Sequence, residues 1–295
     1  MNSFPALSII GPGRVGTAIG ILAARAGYPV AAVGGRDKES TIQAARRIGE
    51  HVCPCTIAEA AKHADIIFIT VTDDAIESVC TEIATQKGFN RNSIVVHCSG
   101  ALSSEILSSA RDACQCLVAS MHPLQTFPTV DSAVKKLKGA YCFYEGDEKG
   151  LPLIENLAKR IGLMPVRISS SLKIFHHIAA VFACNYLVAL MDTAMKLAKH
   201  AQIDPSIAWL AYEPLVLSTI ENIAEMGTAQ ALTGPIARGD IQTITGHIEK
   251  LASVDPSLSS VYNIMGCHTV DIAVRKGSIT NQKANEIRSL LGCYK

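Results

Sequence analysis

Gly11, Gly13 and Gly16, within Gly11-Pro12-Gly13-Arg14-Val15-Gly16, have the spacing of a backbone cradle for a pyrophosphate. Gly11 permits the tight turn, Gly13 lets the backbone approach the phosphates, and Gly16 lets a helix pack closely on a strand. The helix that starts at Arg14 and Val15 then offers free N–H groups and partial positive charge to the anion. Three other segments gather polar groups: Val71-Thr72-Asp73-Asp74, His97-Cys98-Ser99-Gly100 and Met121-His122-Pro123-Leu124-Gln125. Ser99 is suited to holding a carbonyl or carboxylate, and His122 to giving a proton near neutral pH. Further on, His177, Val181 and Asn185 are four residues apart and share a helix face. Asn185 in so apolar a helix needs partners, either within the fold or on a ligand. The adjacent pair His176-His177 lacks the i, i+4 spacing of a metal pair, so no metal is expected.

These groups need elements to hold them. Candidate strands at 7–11, 30–34, 65–71, 93–98, 116–121, 140–145 and 164–168 alternate with helical patterns up to about residue 169. Ile66–Val71 and Ser93–Cys98 are continuous apolar runs, the pattern of strands covered on both faces. This alternation gives an α/β class with an N-terminal doubly wound parallel sheet. All three polar segments then fall at the carboxyl ends of strands, where such a sheet binds its ligand. After Ser169-Ser170-Ser171 the pattern turns helical, near 172–200, 206–226, 240–252, 256–276 and 280–291. The expected domains are therefore 1–169, holding the cofactor, and an all-α 170–295, serving substrate and dimerisation. Thr56, Asp37, Asp255 and Thr280 are expected helix N-caps. The Leu232–Asp240 segment, rich in Gly and Pro, is a connector with reach towards a ligand.

The second strand ends Val33-Gly34-Gly35-Arg36-Asp37. An NAD site places a carboxylate there for the ribose 2′-OH. Glycine stands in its place, and the guanidinium of Arg36 matches a 2′-phosphate, so NADP(H) is expected over NAD.

The formal net charge of +1 over 295 residues argues against nucleic acid as a partner. No signal-peptide pattern precedes Gly11. The longest apolar stretch, Ile178 to Met191, is interrupted by Asn185 and reads as too short for a bilayer. No membrane partner and a cytoplasmic location are expected. That helix is apolar on nearly every side, so it is buried in its own domain or against a second copy, and a homodimer is the expectation. The ten cysteines form no CxxC pair and are read as reduced, buried small apolar groups.

The chain resembles Rossmann-like proteins with a C-terminal DUF2520 domain, labelled NADP-dependent or F420-dependent oxidoreductases. The resemblance rests on Ile9–Gly16, His97–Gly100, Ser120–Leu124, His177–Tyr186, and Leu232–Pro235 with Arg238-Gly239-Asp240. In outline it is similar to pyrroline-5-carboxylate reductase, ketopantoate reductase and the 3-hydroxyacid dehydrogenases. It implies hydride transfer to a small C=O or C=N substrate at a cleft between two domains. The hydroxyacid dehydrogenases carry a lysine four residues before a helical Asn; if Asn185 is that Asn, Val181 occupies the lysine position. Catalytic groups are then sought among His122, His177, Asn185 and Ser99. NADP(H) is expected along Gly11, Gly13, Arg14, Val15 and Gly16, with Arg36, Val71, Thr72 and Ser99. The missing lysine leaves open a non-catalytic NADP-binding sensor or scaffold, and an F420-dependent NADP oxidoreductase.

Overall fold

A computed structural model describes residues 4–293. Eight strands form one sheet in the order β3-β2-β1-β4-β5-β6-β7-β8. They are β1 (Leu7–Ile10), β2 (Val30–Gly34), β3 (Cys53–Cys55), β4 (Ile66–Ile69), β5 (Ile94–His97), β6 (Leu117–Pro123), β7 (Tyr141–Gly146) and β8 (Met164–Arg167). Strands β1 to β6 are parallel, as their two-sided apolar runs demand; Leu7, Ile9, Ile66, Phe68 and Val96 are fully buried. Strand β7 runs antiparallel to β6, and β8 parallel to β7, so the doubly wound sheet carries a reversed pair at one edge. Strand β3, Cys53-Pro54-Cys55, is a three-residue edge piece absent from the periodicity reading. Its Pro has no N–H to donate, and only an edge tolerates that.

Helices α1 (Arg14–Arg25), α2 (Lys38–Ile48), α3 (Ile57–Lys62), α4 (Ile76–Thr85), α5 (Ser108–Cys114), α6 (Val130–Leu137) and α7 (Leu151–Arg160) connect the strands. Their starts follow the expected caps: Asp37 accepts from Ser40 N at 2.8 Å, and Thr56 with Glu59 forms a capping box. Helix α8 (Lys173–Ala180) passes through a π-helical turn, Val181–Asn185, into α9 (Tyr186–His200).

The chain divides into two compact units, one ending at Asn185 and the other starting at Tyr186. The pattern changes class at 169, yet the first unit continues to Asn185. Ser170 and Lys173 explain this, because both are bonded to the sheet through Glu145 and Ser120. The second unit contains α9, α10 (Pro205–Ala231), α11 (Pro235–Arg238), α12 (Ile241–Val254), α13 (Pro256–Lys276) and α14 (Asn281–Leu291). Ile236, Ile244, Val270, Ala273, Ile287 and Leu291 form its core. Asp255 and Thr280 cap α13 and α14 as expected.

Three expectations need correction. Cys267 and Cys293 are joined by a disulfide between α13 and the end of α14, so the cysteines are not uniformly reduced. The Ile178–Met191 helix is not buried within its own chain, the first of the two alternatives: Phe182 and Val188 are 63% and 67% exposed. Taken with its flanks, Ser170–His200 is long and apolar enough, by length and composition alone, to cross a membrane, so "too short" does not hold.

Candidate active site

The glycine turn has the form its sequence requires. Gly11 sits at φ +79°, and a Cβ there would come within 2.5 Å of Val71 Cγ1. A Cβ on Gly16 would overlap Thr70 Oγ1 and approach Ile9 Cγ2 to 2.9 Å, so only glycine lets α1 rest on β1 and β4. The turn is fixed by Gly11 N donating to Gly34 O and Gly13 N to Gly11 O, each at 2.8 Å. Thr70, which the sequence reading passed over, donates its hydroxyl to Gly11 O at 2.7 Å and ties β4 to the cradle. Gly13 is the N-cap of α1 and supplies no side-chain cap, which leaves the first-turn N–H groups of Arg14, Val15 and Gly16 for an anion. Arg14 also donates to Phe127 O at 3.2 Å. Arg36 is exposed at a 430 Å³ cavity lined by Gly35, Lys38, Thr41, Pro54, Cys55 and Thr56. Two cations therefore stand at the end of β2, and the only carboxylate lining the cavity is Glu59, whose side chain is spent on Thr56. The donors present fit a dinucleotide phosphate at the turn and a further phosphate near Arg36. Val71 and Thr72 follow β4 directly, and Thr72 caps a short 3₁₀ turn, Asp73–Ala75.

A second group of polar side chains is built on β5, β6, β7 and α8. In register, His97 pairs with Ser120 and Ser120 with Glu145, so one row of side chains crosses three strands on the same face. Two residues along β6, His122 pairs with Phe143 on that face. Lys173, His176 and His177 lie at i, i+3 and i+4 on α8, a single helix face. Lys173 donates to Ser120 Oγ and lies 3.7 Å from Glu145 Oε1. The His176 ring rests on Phe143 with centroids 3.8 Å apart, and lies 5.5 Å from His122. Gly100 fills the space between two imidazoles: a Cβ there would be 2.7 Å from both His122 Cε1 and His177 Nδ1.

The charge states follow from these surroundings. His97 accepts from Ser99 N at 3.1 Å through Nδ1, so its Nε2 carries the proton and donates to Ser103 O. Burial, then the Lys173 charge, push His97 down to about 3. Burial and the neighbouring His176 and Lys173 push His122 down to about 4. Both are neutral imidazoles at neutral pH. Burial lowers Lys173 to about 8 against the opposing pull of Glu145. His122 Nδ1, His176 Nε2 and His177 Nδ1 are buried and have no hydrogen-bond partner among the described residues.

The structure thus brings Ser99, His122 and His177 together. Ser99 is held inside its own turn: its hydroxyl donates to Asp73 Oδ2 at 2.7 Å and accepts from Ala101 N and Leu102 N. Asn185 is exposed rather than buried, and it ends the π-helical turn. A wider turn breaks the 100° step on which its alignment with His177 and Val181 relied. Lys173, Glu145 and Ser120 were not singled out by the sequence reading. One signal could have found the lysine: the four-residue spacing of Asn185, Val181 and His177, carried back one turn, reaches 173. The Leu232–Asp240 segment is held within its own unit, with Lys276 Nζ donating to Leu232 O at 2.7 Å and Asp240 capping α12.

Residues 4–123 match the Rossmann-like domain family, and residues 140–269 match the domain of unknown function DUF2520. No curated protein matches the chain. Solved structures do. A Bacteroides fragilis protein described as an NADP oxidoreductase is 22% identical, with TM-score 0.72, covering 92% of this chain and 98% of its own. A Thermotoga maritima protein is 25% identical, with TM-score 0.71 and coverage of 92% and 99%. An imine reductase from Myxococcus stipitatus in complex with NADP+ is 17% identical, with TM-score 0.59 and coverage of 98% and 93%.

Proposed function

Because the chain joins a Rossmann-like domain to a DUF2520 domain, we propose that it is an NADP(H)-dependent reductase of a small C=N or C=O compound. The observation that carries this reading is the pairing, within one compact unit, of a glycine cradle with a histidine cluster on β6 and α8 whose inward ring nitrogens are buried and unpartnered among the described residues. The two-phosphate donor pattern supports NADP(H): Arg14, Val15 and Gly16 N–H groups for the pyrophosphate, Arg36 and Lys38 for the 2′-phosphate. NADPH, when bound, supplies the hydride. Pyrroline-5-carboxylate and imine reductases among the similar structures share this fold and agree with the reading.

The chain's own groups then sort the substrate classes. A carbonyl must gain a proton as it is reduced, and a neutral imidazole that ionises only near 4 is a weak acid for that work. A C=N compound arriving as its conjugate acid needs no such donor. It needs a hydrogen-bond acceptor, which neutral His122 supplies beside His177, and an anion, which Asp73 supplies beside Ser99. We therefore favour C=N over C=O, with Ser99 ordering the turn and the histidines orienting the substrate. Asn185, exposed, is assigned an orienting role only if substrate reaches it. A screen of keto and imino compounds with NADPH tests the reading; no turnover above blank with any of them contradicts it.

The proposal extends to assembly: a water-soluble, cytoplasmic homodimer, with residues 170–295 as the dimerisation and substrate domain. Its support is the exposed apolar side chains of the second unit, including Val188 on α9 and Leu210, Leu215 and Leu217 on α10. Light scattering should give twice the chain mass of 31.4 kDa; a monomer at micromolar concentration contradicts it.

A further inference from the structure

We propose that Lys173, paired with Glu145, is a positioning residue that aligns the histidine-bearing segments and sets its charge beside His122; this rests on the reductase reading for its purpose, not for its test. Lys173 is 1% exposed, so it cannot touch a substrate, and a merely filling residue at that point would not need a charge. Its partners show what it does. Glu145, itself 2% exposed, accepts from Ser104 N and Ser104 Oγ at 2.8 Å and from Ser170 Oγ at 2.5 Å. Ser104 belongs to the chain that follows the His97–Gly100 turn, and Ser170 to the entry of α8. Lys173 adds Ser120 on β6, two residues before His122. One buried ion pair therefore ties together the three segments that carry Ser99, His122 and His177. Side chains of ordinary length reach each other here only because His97, Ser120 and Glu145 are register neighbours on one sheet face.

The electrostatic consequence has a definite sign. Burial does most to keep His122 neutral, and a buried ammonium near the imidazole disfavours a positive charge there in the same sense, so Lys173 adds to it. The other groups facing His122 are His176 and His177 on α8, and they act in the same sense. Around Lys173 itself stand His97 and Cys98 on β5, Cys142 and Glu145 on β7, and Asp73 after β4. Glu145 is the counter-charge bonded into the pair, and its removal acts opposite to removal of Lys173.

Histidine-selective isotope labelling and NMR titration of the full chain, without substrate or cofactor, tests this. In the native protein the His122 ring signals should show an inflection near pH 8, where Lys173 loses its proton. In Lys173→Met that inflection should vanish and the His122 protonation midpoint should rise by about one pH unit, about tenfold in protonated fraction. In Lys173→Arg the inflection should vanish while the midpoint stays low. Glu145→Gln should move the midpoint the other way. If neither single charge removal folds, the Lys173→Met/Glu145→Gln double variant leaves no lone buried charge and should fold without the inflection. A native His122 signal that passes pH 8 unchanged, or a folded Lys173→Met with an unmoved midpoint, overturns the proposal. NADPH titration of the same samples separates this from the reductase reading: absent NADPH binding refutes that reading and leaves the histidine result standing.

Discussion

The glycine cradle and the histidine cluster lie on the same sheet but are specified in different ways. The cradle is local. Six consecutive residues contain the turn, the close approach and the helix start, and a few neighbours, Gly34, Thr70 and Val71, brace them from elsewhere. The cluster is assembled from β5, β6, β7 and α8, and its members are up to 80 positions apart in the chain, from His97 to His177. A cradle can therefore be read as a motif, whereas a cluster exists only once the strand register is set. The two should fail differently: damage to the cradle removes cofactor binding, and damage to the cluster removes chemistry or stability while the cofactor still binds.

The sharpest break concerns stability. Lys173→Met strands the Glu145 carboxylate in the interior, and the unfolding free energy in urea should fall by about 4 kcal/mol. Arg14→Ala, at the exposed end of the cradle, should change it by less than about 0.5 kcal/mol. Acid should act on the same side of the comparison. His97 and His122 ionise far lower in the fold than the ordinary value of 6.5. Below pH 6.5 the unfolded chain thus binds protons that the folded chain refuses. Stability is fully present above pH 6.5 and falls as the pH drops towards 4, by about 3 kcal/mol for each of the two histidines; thermal melts across that range check the slope.

Gly100→Ala puts a methyl against His122 and His177. It should cut turnover at least about tenfold and leave the NADPH dissociation constant within about twofold, an outcome read by calorimetry beside initial rates. An effect of similar size belongs to the cradle's outer edge. Arg36→Ala should weaken NADPH by about 2 kcal/mol, roughly thirtyfold, and leave NADH unchanged. Equal loss of both cofactors would place Arg36 elsewhere than at the 2′-phosphate.

Much of the fold was legible because periodicity reports burial. β1, β4 and β5 are runs of Ile, Val and Phe, and α13 and α14 begin at Asp255 and Thr280 as capping chemistry requires. What escaped notice depended on tertiary context. Cys53-Pro54-Cys55 is too short for a pattern and becomes a strand only by lying beside β2. Lys173 reads as an ordinary helix-start cation until β6 and β7 bring Ser120 and Glu145 to it. Asn185 leaves the face of His177 and Val181 because it ends a π-helical turn, which has no signature in hydrophobic spacing. The Cys267–Cys293 bond joins the middle of α13 to the end of α14, and spacing along the chain gives no sign of that proximity.

The central proposal is that an NADPH cradle serves a histidine cluster, with His122 neutral, suited to C=N reduction. The most direct test is NADPH oxidation at pH 7 with a matched pair, a cyclic imine and the ketone of the same carbon skeleton. The account predicts kcat/KM for the imine at least about a hundredfold above that for the ketone, equivalent to roughly 3 kcal/mol in the transition state. Equal rates with both, or a preference for the ketone, would contradict it.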